Sequence, residues 1–465
     1  MASVRTNDRP KRPVTHRPAG RLARRLGKED WTVDDLLDLV EEDEIRSVGL
    51  MHIGGDGWLK SLDFVPMSRD HLRDTLLGGE RADGSSLFAD AGIKAGASDI
   101  MLRPRLETAF LDPFAEQPTL SVLCHHLDRE GHPLAVSPDT VIHRAYERLR
   151  SEVDVDLHAL GEVEYFLGRP VEAGETYGSD DRGYHATTPF VFGAELRRVA
   201  MAHLADLGVA VKYGHSEVGW METDGFSWEQ HEIELALAPL PRAADAVILT
   251  QWVLRHLAHR RGLRISFEPV VRAGHAGSGL HFHFSPVREG AHLGGGGTPE
   301  EFTPEAEWLI AGLVRAGGAL MAWGNRRASS FVRLNQGKEA PEEITWGRFN
   351  RHALVRLPIQ ARSEDGSFET PPTIEFRLPD GSVHPHFLLA GVAQAMLGAQ
   401  AEGDASEIVR VSEAGKAVDA AALPLDRADV AVQLQAHRNW FEADGVFDPA
   451  LVHATLALLG AEDAD

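Results

Sequence analysis

Five short stretches of the chain alternate apolar residues with carboxylate, imidazole or guanidinium side chains. Gly161-Glu162-Val163-Glu164-Tyr165-Phe166, Leu280-His281-Phe282-His283-Phe284-Ser285 and Thr373-Ile374-Glu375-Phe376-Arg377-Leu378 show the pattern most fully. His215-Ser216-Glu217-Val218 and Glu232-Ile233-Glu234-Leu235 continue it. Successive side chains of a strand point to opposite faces. That rule places Glu162 with Glu164, His281 with His283 and Ser285, and Glu375 with Arg377. The apolar partners, Val163, Phe282, Phe284, Ile374 and Phe376, can pack under helices, leaving the polar faces to line one shared cavity. Carboxylates crowded in a cavity repel one another unless cations neutralise them. Oxygen ligands with an imidazole among them favour Mg²⁺ or Mn²⁺ over zinc or copper. One Glu-x-Glu strand is usually a solvated face; the agreement of five segments carries the metal reading.

A second set of residues supplies positive charge. Arg333 follows Phe331-Val332, Arg351 and Arg356 lie within the run Asn350 to Pro358, and Arg377 belongs to the last strand above. Their planar guanidinium forks suit carboxylate and phosphate oxygens. Divalent cations combined with several arginines suggest phosphoryl transfer, which relies on positioning and charge neutralisation. A single well-placed arginine can change such a rate by about 10³- to 10⁵-fold.

Elements must hold these groups in place, and the chain is long enough to supply them. Its 465 residues suggest two folded units, and 43% hydrophobic with 25% charged residues is an ordinary globular balance. The formal net charge of −23 argues against a nucleic-acid partner. The one cysteine, Cys124, sits in the apolar run Leu120 to Cys124 and reads as a small buried hydrophobe. It permits no intrachain disulfide, which points to a reducing cytoplasm. No apolar stretch is long enough to span a bilayer. Residues 1–29, rich in Arg and Lys, read as a disordered basic tail. Thr32 can cap a helix over Val33 to Val40. Ile45–Met51 and Trp58–Val65 read as strands joined by the turn Gly54-Gly55-Asp56-Gly57. A small unit over 30–134 would end in the Gly, Pro and Ser cluster at Gly131 to Ser137, with a large domain over 135–465. In the latter, Ala194 to Leu207 is a helical pattern closed by Gly208, and Thr303-Pro304 starts another helix. Gly294 to Gly297 reads as a flexible loop.

With these motifs in view, the chain resembles the glutamine synthetase family, in order from about Ile45 to about Trp440. Asp83-Gly84-Ser85-Ser86, the Glu162–Glu164 strand, Gly277 to Ser285, Glu339-Ala340-Pro341, Asn350-Arg351 and Glu375 to Asp380 carry the resemblance. It implies an α+β fold: a small N-terminal β-grasp-like domain and a large catalytic domain whose curved, mainly antiparallel sheet is backed by helices. It further implies a ring-forming homo-oligomer, a double hexamer, with sites between subunits. Carried over by motif, Glu164, Glu217 and Glu232 would hold a metal near the amino-acid substrate. Glu162, His281 and Glu375 would hold the metal that engages the phosphates of the cosubstrate ATP. Gly277, Arg333, Arg351 and Arg377 would bind substrate, and His283, Ser285, Arg351 and Arg356 would border ATP. Asp83 of a neighbouring subunit would take a proton from the amine, and Glu339 would ride a closing flap.

Departures from the family pattern keep alternatives open. The stretch Gly219 to Ser227 reads as an insertion between Glu217 and Glu232, so Glu229 competes with Glu232 as ligand, and the bulky Trp220 could reshape the amine entrance or sit in a harmless surface loop. Ala276 stands where the family commonly has an asparagine that helps position glutamate. The resemblance implies formation of glutamine from glutamate, ammonia and ATP. γ-Glutamylation of a larger primary amine or polyamine is the alternative. A catalytically silent ATP- or glutamate-binding sensor or scaffold is the alternative of another class.

Overall fold

Thr32 caps the first helix, Val33–Glu42, through a reciprocal pair of hydrogen bonds. Its hydroxyl accepts from Asp35 N at 3.2 Å, and the Asp35 carboxylate accepts from Thr32 N at 3.1 Å. This computed structural model describes residues 31–171, 180–294, 302–338, 340–360, 364, 370–417 and 422–461. The basic tail, residues 295–297 and Glu339 lie outside that set.

Residues 47–127 build a first sheet from β1 (Ser47–Ile53), β2 (Leu59–Phe64), β3 (Glu80–Asp83), β4 (Asp99–Pro104), β5 (Phe110–Leu111) and β6 (Thr119–Leu127). The order is β2-β1-β6-β4-β3, with β5 added to β6. β1 and β6 run parallel and the other pairs antiparallel. The Gly54–Gly57 turn joins β1 to β2 as expected, with Gly57 at a φ of 83° that side chains rarely adopt. Cys124 is buried, and that burial pushes its thiol well above the usual range.

The second sheet carries the polar faces. It comprises β7 (Asp156–Pro170), β8 (Val211–Thr223), β9 (Phe226–Leu235), β10 (Ala238–Pro239), β11 (Arg264–Ser266), β12 (Phe282–Arg288), β13 (Ala291–His292), β14 (Glu343–Arg348), β15 (Ala353–Leu357) and β16 (Ile374–Phe376). Its main path is β14-β15-β16-β12-β7-β9-β8, and every neighbouring pair except β14–β15 is antiparallel. The apolar partners of the catalytic-type residues, Val163, Phe282, Phe284, Ile374 and Phe376, are fully buried in the core. Helices Leu240–Arg260, Pro304–Gly324 and Pro385–Glu402 contribute most of the layer beneath. The last two approach so closely that a Cβ on Gly312 would lie 2.5 Å from the Ala395 carbonyl oxygen.

Two local expectations are corrected. Regular pairing begins only at Phe282 and covers only Ile374–Phe376, so His281 and Arg377 sit in irregular backbone beside their strands. The stretch Gly219 to Ser227 is not a surface loop: β8 and β9 continue as a ladder to an Asp224-Gly225 tip with φ of 53° and 78°. Asp-Gly at positive φ is the turn chemistry that a twisted hairpin favours. No helix among the described residues is long and apolar enough to cross a membrane.

A buried ionic knot ties the first sheet to the helices of the second. Arg105 lies 2.7 Å from Asp245 and 3.4 Å from Asp139, while His386 Nε2 lies 3.0 Å from Asp245. Burial pushes both carboxylates up, yet Arg105 together with His125 and His143 at Asp139, and with His386 at Asp245, outweighs it and holds them below the usual carboxylate range. Removing the guanidinium strands two buried acids, which costs about 3–5 kcal/mol. Arg105→Met therefore lowers the denaturant midpoint markedly at pH 7. Because the folded pKa values are depressed, the acids' contribution is present above the unfolded value near 3.9 and fades as pH falls below it. The deficit of the variant shrinks below about pH 4; equal midpoints at pH 7 would show that the knot contributes nothing.

Candidate active site

A cavity of about 630 Å³ opens over the polar face of the second sheet. β7 contributes Glu162 and Glu164, and β9 sets Glu234 and Glu232 directly across from them. β8 brings His215, opposite Glu232, and Glu217. His283 of β12 faces Glu375 of β16, which in turn faces Arg356 of β15. Strand register alone thus converges groups separated by more than two hundred residues in sequence.

Two acidic subsites result. In one, Glu162 accepts from both imidazoles, His281 Nδ1 at 2.8 Å and His283 Nε2 at 2.9 Å, and Glu375 lies 3.9 Å from His281 Nδ1. Arg356 approaches Glu375 to 2.9 Å, and Arg377 contacts the same carboxylate. In the other, Glu164, Glu217 and Glu232 gather near His215, which is 3.3 Å from Glu232 and 3.8 Å from Glu217. Gln230 Nε2 and Gly279 N donate to Glu164 at 2.8 and 2.9 Å. A Cβ on Gly279 would lie 2.6 Å from His281 Nε2, so the backbone can reach Glu164 only because that residue is glycine.

The electrostatics separate the subsites. Burial, then the neighbouring Glu217 and Glu232 charges, raise Glu164 well above the usual carboxylate range against the pull of Arg333. Burial and the surrounding glutamates raise Glu232 likewise. Burial also raises Glu162, but His283 and His281 outweigh it and hold Glu162 low. His281 is lowered to about 4 by burial and Arg377, whereas for His283 burial is outweighed by Glu162 with Glu375 and Glu234, which raise it. Acids that protonate for want of a counter-charge are what a bound cation would relieve. Ligand atoms of Glu162, His283 and Glu375 lie within 4.8 Å of one another, as do those of His215, Glu217 and Glu232, and those of Glu162, Glu232 and Glu234. These hard oxygen donors with imidazole fit divalent cations of the magnesium or manganese kind.

The remaining residues distribute as follows. Gly277, Arg333, Arg351, Arg356 and Arg377 all line the cavity. Arg333 Nη2 lies 3.3 Å from His281 Nε2, and Gly277 O accepts from Gln230 at 3.0 Å. His283 is buried behind Glu162, with Nδ1 3.0 Å from Thr373 Oγ1, so it belongs with the acids rather than at an open nucleotide border. Ser285 is buried and paired with His292 at 2.9 Å, outside the lining, which removes it from direct contact with anything in the cavity. Trp220 is likewise absent from the lining, held in the β8–β9 ladder opposite Glu229. Glu229 points elsewhere: it accepts from Phe192 N at 2.8 Å and from Gly193 N, at the start of helix Ala194–Asp206. Glu232, not Glu229, shares the cavity. Asp83 ends the exposed edge strand of the first sheet and does not line this chain's cavity. Its carboxylate accepts from Ser85 N at 2.9 Å and from the Ser85 and Ser86 hydroxyls at 2.7 Å, which keep it ionised well below the usual range.

Alternation places His215 with Glu217 and Glu234 with Glu232; His215 lines the cavity, while Glu234 lies directly across from Glu162. Tyr184, Tyr213 and the Asp181–Lys338 ion pair, 2.7 Å apart, also border the cavity, the pair on loops where no periodicity exists.

The model of the glutamine synthetase catalytic domain matches residues 135–458, most of the chain. The chain belongs to the glutamine synthetase family. A glutamine synthetase of Thermus thermophilus is 30% identical over 78% of this chain and 79% of its own length. A 3-hydroxylaminophenol mutase of Cupriavidus pinatubonensis is 28% identical over 79% and 80%. The solved Plasmodium falciparum glutamine synthetase superposes with a TM-score of 0.78 at 16% identity, covering 92% of this chain and 95% of that one, which establishes a shared fold. ATP and divalent metals are typical of glutamine synthetases, and the acid subsites are groups that could hold a metal ion.

Metal should stabilise the folded chain by mass action, about 2.7 kcal/mol at a hundred times the dissociation constant. Saturating Mn²⁺ is expected to raise the unfolding temperature of the wild type. Glu217→Gln and Glu232→Gln lose most of that rise, while Glu229→Gln keeps it whatever its starting stability. A full rise in both cavity variants would remove them from the ligand set.

Proposed function

We propose that the protein is an ATP-dependent ligase that converts L-glutamate, ammonia and ATP to L-glutamine, ADP and phosphate. The observation that carries this reading is the convergence of Glu162, Glu164, Glu217, Glu232, His281 and four arginines on one cavity, with Glu375 buried beside Arg356 and Arg377. In the proposed assignment Glu164, Glu217 and Glu232 hold one divalent cation, and Glu162, His281 and Glu375 hold another, with His283 supporting Glu162. When bound, these cations offset the negative charge of the phosphoryl oxygens.

A carboxylate is a poor acyl donor because its leaving group would be oxide. The γ-carboxylate oxygen of glutamate attacks the terminal phosphorus of ATP, ADP departs, and γ-glutamyl phosphate forms. Arg333 and Arg377 orient the amino acid, while Arg351 and Arg356 face the transferring group. The amine lone pair then attacks the acyl carbon, phosphate leaves, and the ammonium nitrogen must lose a proton. Asp83, held ionised by its serines, is suited to accept it. Since Asp83 does not line its own chain's cavity, this role calls for a second copy that presents its edge strand, in keeping with a ring-shaped oligomer such as a double hexamer. Within each subunit, residues 30–134 would form the β-grasp-like domain and 135–465 the catalytic domain, working in the cytoplasm, with Glu339 on a flap that excludes water.

One observation favours a larger amine as second reading. Tyr184 and Tyr213 line the cavity beside Glu217 and Glu232, with His185 stacked 4.2 Å from Tyr184 and tilted against His215 at 4.7 Å. Aromatic faces next to carboxylates suit an organic ammonium ion. Magnesium-dependent ADP release with glutamate, measured against ammonia and a panel of primary amines and polyamines, separates the readings. Ammonia as the strongest accelerator supports glutamine formation, and acceleration only by an organic amine transfers the assignment to γ-glutamylation. No release with any acceptor, despite tight ATP binding, points to a sensor or scaffold. Asp83→Ala is expected to retain ATP and metal binding but slow amine transfer by about 10²- to 10⁴-fold. Full activity would strip Asp83 of its role.

A further inference from the structure

A second cavity, of about 380 Å³, shares no lining residue with the first. It lies where the β1–β2 turn, the segment Ser86 to Ala91, helix Pro304–Gly324 and helix Pro449–Gly460 meet. Its volume falls in the range of small-molecule sites.

The lining holds buried polar atoms that nothing satisfies. Trp323 is 2% exposed, and its Nε1–H has no hydrogen-bond partner. The benzo edge of that indole packs toward Gly391 of helix Pro385–Glu402, which turns the N–H edge away from that helix. His384 is 1% exposed and stacked on Phe387 at 4.0 Å. The Gly54 carbonyl is near enough to bias the His384 ring, yet neither ring nitrogen makes a hydrogen bond. Arg326 donates to the Asp56 carbonyl oxygen at 3.0 Å, and no carboxylate comes within ion-pair distance of it among the described residues. Burial and the adjacent Arg327 lower its pKa, the mark of a guanidinium short of counter-charge. Each buried polar group left unmet costs about 1–3 kcal/mol, so Trp323 and His384 together carry a substantial penalty.

Phe88, Val136, Leu451 and Leu458 supply apolar wall, while Asp56 and Asp90 stand at the exposed rim, Asp56 paired with Lys60 at 2.8 Å. We propose that this cavity binds a small organic monocarboxylate, its two oxygens accepting from Trp323, His384 and Arg326 and its hydrocarbon part lying against the leucines. Arg326 brings a positive charge to the lining, and its side chain donates to a backbone carbonyl rather than to a carboxylate. Apolar walls favour a carboxylate with a hydrocarbon arm over free phosphate. The site is separate from catalysis, although Ser86, which lines it, also hydrogen-bonds Asp83 at 2.7 Å.

Calorimetric titration of the full-length protein with phenylacetate and with hexanoate tests this, using 2-phenylethanol and phenethylamine as uncharged and cationic controls. One saturable carboxylate site per chain is expected, unaffected by excess glutamate or by Glu164→Gln. Trp323→Phe, which keeps the ring and deletes the N–H, and Arg326→Gln, outside any helix or strand, should each weaken binding about tenfold or more. If Trp323→Phe fails to fold, Arg326→Gln alone decides. Absence of carboxylate binding, equal binding of the alcohol, or wild-type affinity in the folded variants would overturn the proposal.

Discussion

The mutual repulsion of glutamates on one face of a sheet is the constraint on which the rest of this molecule depends. Glu162, Glu164, Glu217, Glu232, Glu234 and Glu375 cannot all be ionised side by side in a largely buried place. The protein meets part of this with its own groups. His281 and His283 stabilise Glu162, Arg356 and Arg377 hold Glu375, and Lys212 reaches Glu234 at 2.7 Å. Glu164 and Glu232 are left raised, and that residual demand marks where a cation belongs.

Such a face can exist only if its reverse is strongly apolar and well braced. The opposite sides of β7, β12 and β16 are buried Val, Phe, Tyr and Ile, and closely packed helices lie beneath them. Their burial offsets the cost of arraying like charges, at roughly 1.5–3 kcal/mol for each large side chain. The Arg105 knot then fixes the first sheet to this frame, which sets where Asp83 is offered on the surface.

Much of this was legible in the sequence because a period of two is a direct reading of strand geometry. Val163 against Glu162 and Glu164, or Phe282 and Phe284 against His283, needed no fold to be sorted into faces. The same rule failed where regular backbone ended. His281 lies one residue before β12, so its agreement with His283 came through Glu162 rather than through shared pairing. Ser285, formally on the same face, is carried past the cavity to His292 by the length of the strand. The Asp224-Gly225 turn was concealed by reading Gly219 to Ser227 as an insertion, and of the two places open to Trp220, the amine entrance or a surface loop, the ladder gives neither. Asp181 and Lys338 meet through loops far apart in sequence, and no local pattern encodes such a contact.

The role of the glutamate face depends most directly on where divalent cations bind. Anomalous diffraction at the manganese edge, from crystals grown with Mn²⁺ and ADP, locates them without reference to activity. Peaks are expected between Glu164, Glu217 and Glu232 and beside Glu162 and Glu375. Clear density for ADP with no manganese at either place would contradict the central claim.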